Sequence, residues 1–108
     1  MRWTKNDNVI VTKEVLTILV LSGGPLNPRE LAKDLLAKNV FSVQYSTDSV
    51  TRKIYNTVYI AKECGLIRCK THGLSHYSLL QGTVFVEVCN ELNIPLKRKP
   101  KNQLGGHQ

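Results

Sequence analysis

The chain has 108 residues, 42% of them hydrophobic, and carries 15 Lys and Arg against eight Asp and Glu, for a net charge of +7. That length supports one domain with a small core and excludes two. Three cysteines, an odd number, argue against a secreted disulfide framework, and the basic excess favours an acidic partner, nucleic acid before an anionic membrane surface.

Residues 1–8, MRWTKNDN, read as a flexible N-terminal arm, with Trp3 covering a core edge. The first helix is expected within Val9–Ser22, capped by Asn8 or Thr12. Val15, Leu16, Ile18, Leu19, Val20 and Leu21 are apolar almost all the way round that helix. A surface helix would show a stripe instead, so this one is central to the fold or covered by a second copy. Gly23 and Pro25 stop it.

The second helix opens on Asn27, Pro28 and Glu30, a cap, a first-turn proline and a capping-box glutamate. Leu31, Leu35 and Leu36 share its inner face with Ala32, and it should end near Lys38 or Asn39. Val40 to Tyr45 is a connector with Phe41 tucked inward. The third helix begins near Ser46–Asp48 and runs to about Cys64. Its inner face holds Val50, Ile54, Thr57, Val58 and Ala61, and its outer face Ser49, Arg52, Lys53 and Asn56. Gly65 ends it. Two short runs, Leu66–Lys70 and Tyr77–Leu80, then read as a β-hairpin around Gly73. A fourth helix should open at Gly82 or Thr83 and close before Pro95. Residues 95–108 read as a basic tail without structure, since Lys97, Arg98, Lys99 and Lys101 crowd its start and Gly105 and Gly106 follow.

The expected fold is therefore mainly α with a small β-hairpin, over residues 9–94. The order helix, helix, helix, hairpin, helix resembles the winged helix-turn-helix superfamily. The stretches ILVLSGGPLNPRELAKDLL and ECGLIRCKTHGLSHYSLL carry that likeness, and Gly-Leu-Ile followed by a return through Tyr-x-Leu is similar to MarR-type and PadR-type regulators. The connector before the third helix is longer than the turn of a minimal helix-turn-helix. The resemblance implies sequence-specific binding of double-stranded DNA by a transcriptional regulator, with the third helix in the major groove and the wing and tail on the backbone. A protein–protein module of a transcription or replication assembly is the alternative. Charge agrees with the first reading, because residues 49–81 carry a net +4 and residues 1–48 only +1.

On that reading Arg52, Lys53 and Asn56 are the candidates for base contact, since Arg pairs with guanine and Asn with adenine. Thr47 and Ser49 suit phosphate at the helix N-terminus. Arg68, Lys70, His72, Ser75 and His76 would line the wing, and Lys97, Arg98, Lys99 and Lys101 would hold backbone from the tail. An ordinary solvated face is the competing explanation. Cys64, Cys69, His72 and His76 could hold zinc in principle, but the spacing is unusual and Cys69 has a packing role as an inward strand residue. No cofactor and no catalytic residue is expected, because Ser22-Gly23-Gly24-Pro25 lacks the lysine of a phosphate loop. A homodimer through the first and fourth helices would suit palindromic DNA. The Val15–Leu21 run is too short to span a bilayer and residues 1–8 are polar. The expected location is therefore the cytoplasm, or the nucleoid in a bacterium or archaeon.

Overall fold

The computed structural model describes residues 2–69 and 76–104. Four helices follow one another: α1 (Lys5–Leu16), α2 (Pro28–Ala37), α3 (Thr47–Glu63) and α4 (Leu79–Glu91). Helix α1 continues through a π-helical turn, Thr17–Leu21. Among the described residues there is no strand, so the expected hairpin and with it the winged architecture are replaced by an all-helical fold. The reason is local. The Ser78 hydroxyl accepts a 3.1 Å hydrogen bond from the Gln81 amide and caps α4. The run Tyr77–Leu80, read as a return strand, thereby becomes a cap and a first helical turn, and α4 starts four residues before Thr83. Leu66 to Cys69 are irregular, with Leu66 and Ile67 laid against the core. The expected turn, with Lys70, His72, Gly73 and Ser75, lies outside the described residues.

Helix α1 also starts early. Thr4 caps it by accepting from the Asp7 amide at 3.1 Å, so the second half of the expected arm is the first helical turn. Asp7 and Asn8 are buried there. Packing on two sides accounts for the start of the all-round apolar run, while Ile18, Leu19 and Val20 are only partly buried and Leu21 is exposed. Helix α1 lies against both α4 and α3, and α2 lies against α3. Val11 and Val15 enter one core cluster with Leu31, Leu35, Tyr45, Val50 and Ile54. Leu16 enters the other with Ile60, Val84, Phe85 and Val88. Helices α1 and α4, expected at a contact between two copies, also lie against each other within one chain.

Helix α2 follows its sequence signals. Asn27 Oδ1 accepts from the amides of Arg29 and Glu30, both at 3.1 Å, and Pro28 occupies the first turn. Helix α3 is capped by Ser46 and ends before Gly65, whose φ of +78° is a left-handed stop.

The basic tail is docked through Leu104. The amides of Lys97 and Arg98 donate to the Cys64 carbonyl at 3.3 Å, and Arg98 Nε donates to the Glu63 carbonyl at 3.1 Å. These are orphan carbonyls at the end of α3, which must find donors somewhere. The Lys101 amide donates to Glu63 Oε1 at 3.1 Å, and Asn102 Nδ2 to the Tyr77 carbonyl at 2.7 Å. The Leu104 amide reaches the Thr83 hydroxyl at 2.8 Å. Pro100 is buried. Residues 95–104 thus form a strap across the end of α3 and the start of α4, held by polar contacts that composition does not reveal. Gly105 and Gly106 lie outside the described residues.

Candidate nucleic-acid interface

Helix α3 is 17 residues long, or about 25 Å at 1.5 Å per residue. Val50, Ile54, Thr57, Ile60 and Ala61 are buried and fix its roll about its own axis. Arg52 and Tyr55 then face outward, with Tyr55 48% exposed. Asn56, Tyr59 and Lys62 flank them and are partly exposed.

Of the expected base readers, Arg52 alone is exposed. Lys53 sits one residue, or 100°, away and turns into a recess. Its Nζ lies 5.3 Å from the centre of the Trp3 ring and donates to Gln81 Oε1 at 3.4 Å. Burial there pushes the Lys53 ammonium below its ordinary pKa. Asn56 Oδ1 is buried without a hydrogen-bond partner, so this oxygen does not open on the surface. Ser49 Oγ accepts from Trp3 Nε1 at 3.3 Å, which ties it to the core edge. Thr47 is partly exposed in the first turn of α3. Arg68 and His76 are exposed on either side of the undescribed segment, and Lys97, Arg98, Lys99 and Lys101 are exposed along the strap. Lys70, His72 and Ser75 lie outside the described residues.

Charge is segregated. Lys5 pairs with Glu87 at 3.3 Å and Lys13 with Glu91 at 2.5 Å, joining α1 to α4. Lys33–Glu30, Lys38–Asp34 and Arg29–Asp48 tie up the cations of α2, and Lys101 lies 3.9 Å from Glu63. Such exposed pairs add little stability, but they cancel charge locally. Arg2, Arg52, Lys53, Arg68, Lys97 and Lys99 have no carboxylate partner among the described residues. Arg98 spends its Nε on a backbone carbonyl. The uncompensated cations therefore lie on α3, just beyond its C-terminal end and on the strap, with Arg2 apart ahead of α1.

Two features escaped sequence reasoning. The first is a cleft of about 440 Å³ lined by Arg2, Trp3, Asn8, Lys53, Ser78 and Leu80. The second is the set of partners of Trp3, which covers a core edge as expected but does so stacked on Tyr45 at 3.8 Å between ring centres and edge-on to Phe41. An aromatic residue near the chain start with Phe41 and Tyr45 in a connector was the available signal.

The zinc set is not assembled among the described residues. Cys64 is buried in the core, Cys69 is partly exposed, His76 is exposed, and His72 lies outside the described residues. No group of three potential ligands occurs among the described residues. Burial pushes the Cys64 thiol up to about 11 and the Cys89 thiol up to about 12, the opposite of an activated nucleophile. No described helix is long and apolar enough to cross a membrane. Comparison of the chain with protein-family models, with curated proteins and with solved structures finds no match.

Proposed function

We propose that the chain binds double-stranded DNA through the outer face of α3, with the strap and Arg68 on the phosphate backbone. The observation that carries this reading is the charge segregation. Six of the eight carboxylates pair with cations of α1, α2 and the strap, while Arg52 and Arg68 have no carboxylate partner among the described residues and keep their charge for an outside anion. Phosphate neutralisation by such cations releases counterions and supplies most of the affinity. Arg52 is the residue placed to read a base, with Tyr55 beside it to pack on sugar or base edge. Of the likeness to winged helix-turn-helix regulators this reading keeps the helices and a role in transcription, carried out inside a cell.

The packing supports a monomer as the binding unit. The dimer expected through the first and fourth helices rested on the apolar run Val15–Leu21. Helix α4 lies against α1 and covers Leu16. Ile18, Leu19 and Val20 are partly buried on the two core clusters, and Leu21 stays exposed. No catalytic role is proposed.

Amide chemical-shift mapping with a short duplex tests the interface. Perturbations should centre on Arg52, Tyr55 and Asn56 and extend to Arg68 and the strap. Perturbations centred on the ion-paired seam of Lys5, Lys13, Glu87 and Glu91 would overturn this face and favour a protein-binding role.

A further inference from the structure

Glu63 is the only acidic residue between positions 49 and 86, and it closes α3. A carboxylate at the end of a DNA-facing helix would ordinarily repel phosphate. Here the strap covers it. The Glu63 side chain is 13% exposed. Its Oε1 accepts from the Tyr77 phenol and from the Lys101 amide, the latter at 3.1 Å. Its Oε2 is buried without a hydrogen-bond partner, and the Lys101 ammonium 3.9 Å away balances the charge. The Glu63 carbonyl takes Arg98 Nε at 3.1 Å. One residue thus holds the strap through both its carboxylate and its backbone.

These anchors place the strap's cations. A Cβ built at Gly65 would stand 3.1 Å from Lys97 Cβ and 3.3 Å from Arg98 Nη2. The Lys97 and Arg98 side chains therefore cross the chain just beyond α3, where the helix dipole also favours positive charge. Lys97, Arg98, Lys99 and Lys101 all stay exposed, while Pro100 among them is buried. Further along, Gly82 leaves room for the Asn102 carbonyl, and Asn102 Nδ2 donates to the Tyr77 carbonyl at 2.7 Å. A tail free in solution must be ordered each time it meets DNA, whereas a docked one has already given up that freedom.

We propose that Glu63 is a positioning residue for the DNA interface: covered by the strap, it fixes Lys97, Arg98, Lys99 and Lys101 at the end of α3 as a preformed cationic surface for phosphate. The role rests on the DNA reading above for its ligand. Its consequence runs against simple electrostatics, because removing a negative charge from a DNA-binding protein should here weaken binding.

The test is duplex affinity across a salt series, with the full chain throughout. Glu63→Ala and Gly82→Ala are each compared with the native protein. Both are also made in a chain carrying Lys97→Gln, Arg98→Gln, Lys99→Gln and Lys101→Gln together. Glu63→Ala should weaken binding roughly three- to tenfold, because the freed strap must be ordered on DNA. In the chain without strap cations the same substitution should strengthen binding, since only repulsion of phosphate is then removed. Gly82→Ala changes no charge but displaces the strap, and should weaken binding by a similar factor. Its salt line should run parallel to the native one, as the same cations still reach phosphate. Without the strap cations Gly82→Ala should have no effect. Circular dichroism confirms the helices in each variant, and Gly82→Ala carries the test if Glu63→Ala does not fold. Unchanged or tighter binding by Glu63→Ala in the native strap background, or native affinity in Gly82→Ala, would overturn the positioning role. Weakening by Glu63→Ala to the same degree with and without the strap cations would overturn it as well. No salt-dependent duplex binding by the native chain retires the α3 interface and this role together, whereas native-strength binding by both variants retires this role alone.

Discussion

The phenol of Tyr45 donates a 2.6 Å hydrogen bond to Oδ2 of Asp7, 38 residues before it in the chain. Ser42 adds two more, from its amide at 3.0 Å and its hydroxyl at 2.8 Å. Burial works to raise the Asp7 carboxyl, but these donors outweigh it and hold the group below its ordinary value of 3.8. One carboxylate thus ties the start of α1 to the connector before α3, and it sets the floor on which Trp3 stacks.

Asp7→Ala should cost roughly 2–4 kcal/mol, because it removes three hydrogen bonds to the carboxylate and leaves the buried Tyr45 hydroxyl unpaired. The sign with pH follows from the depressed value. Asp7 stabilises the fold above the ordinary carboxylate range, and that contribution is lost as pH falls through the lower folded value. Urea melts between pH 7 and 2 check this. A midpoint shared by native protein and Asp7→Ala at pH 7 would contradict it.

Two tyrosines add a limit at the alkaline end. Burial, and then the hydrogen bond to Glu63, push the Tyr77 phenol up to about 12, and burial with Asp7 raises Tyr45 as well. An unfolded chain therefore loses these protons first as pH climbs past 10, and stability should fall from there. Tyr77→Phe should shrink that fall, as read from melting temperatures between pH 9 and 12. An unchanged alkaline slope in the variant would count against the Tyr77–Glu63 contact.

The strap should add stability, contrary to what its composition suggests. Deleting residues 97–108 strips donors from the Glu63 and Cys64 carbonyls and should cost about 1–3 kcal/mol. Gly82 gives a gentler probe. A Cβ at Gly82 would stand 1.5 Å from the Asn102 carbonyl oxygen, so Gly82→Ala must displace the strap. Trypsin should then cut at Lys97–Lys101 much faster than in the native protein while the helical signal survives. Equal cutting rates would show that the strap is not docked.

Much of the helical frame was legible because its signals are local. Asn27, Pro28 and Glu30 name the start of α2, and Gly65 names the end of α3, without reference to anything distant. The hairpin failed at a short apolar run. Tyr77-Ser78-Leu79-Leu80 has no period of its own, and the Ser78 cap decided it for helix. Thr4 and Asp7 also form a local capping signal, but their polarity and position near the chain start masked it. The interface was legible by half. Periodicity placed Arg52 outside, yet only the packing of Trp3 on Tyr45 shows why Lys53 turns into a cleft instead of joining it.

The cysteines offer a check on both core and zinc. With Cys64 and Cys89 buried and their thiols raised, a disulfide reagent should label Cys69 quickly and the other two only on unfolding. A chelator should leave the melting temperature unchanged. Three fast thiols, or a chelator-sensitive melt, would contradict this arrangement.

The most direct measurement is fluorescence anisotropy of a labelled duplex across a salt series, with the native protein, Arg52→Ala and the 97–108 deletion. Log affinity should fall linearly with log salt at a slope of roughly −3 to −5, reflecting a handful of released counterions. Arg52→Ala should flatten that slope by about one and relax base preference if the guanidinium reads a guanine. The deletion should flatten it further, equally on all sequences. Duplex affinity that is absent at low salt, or that does not change with salt or with Arg52, would contradict DNA binding through α3.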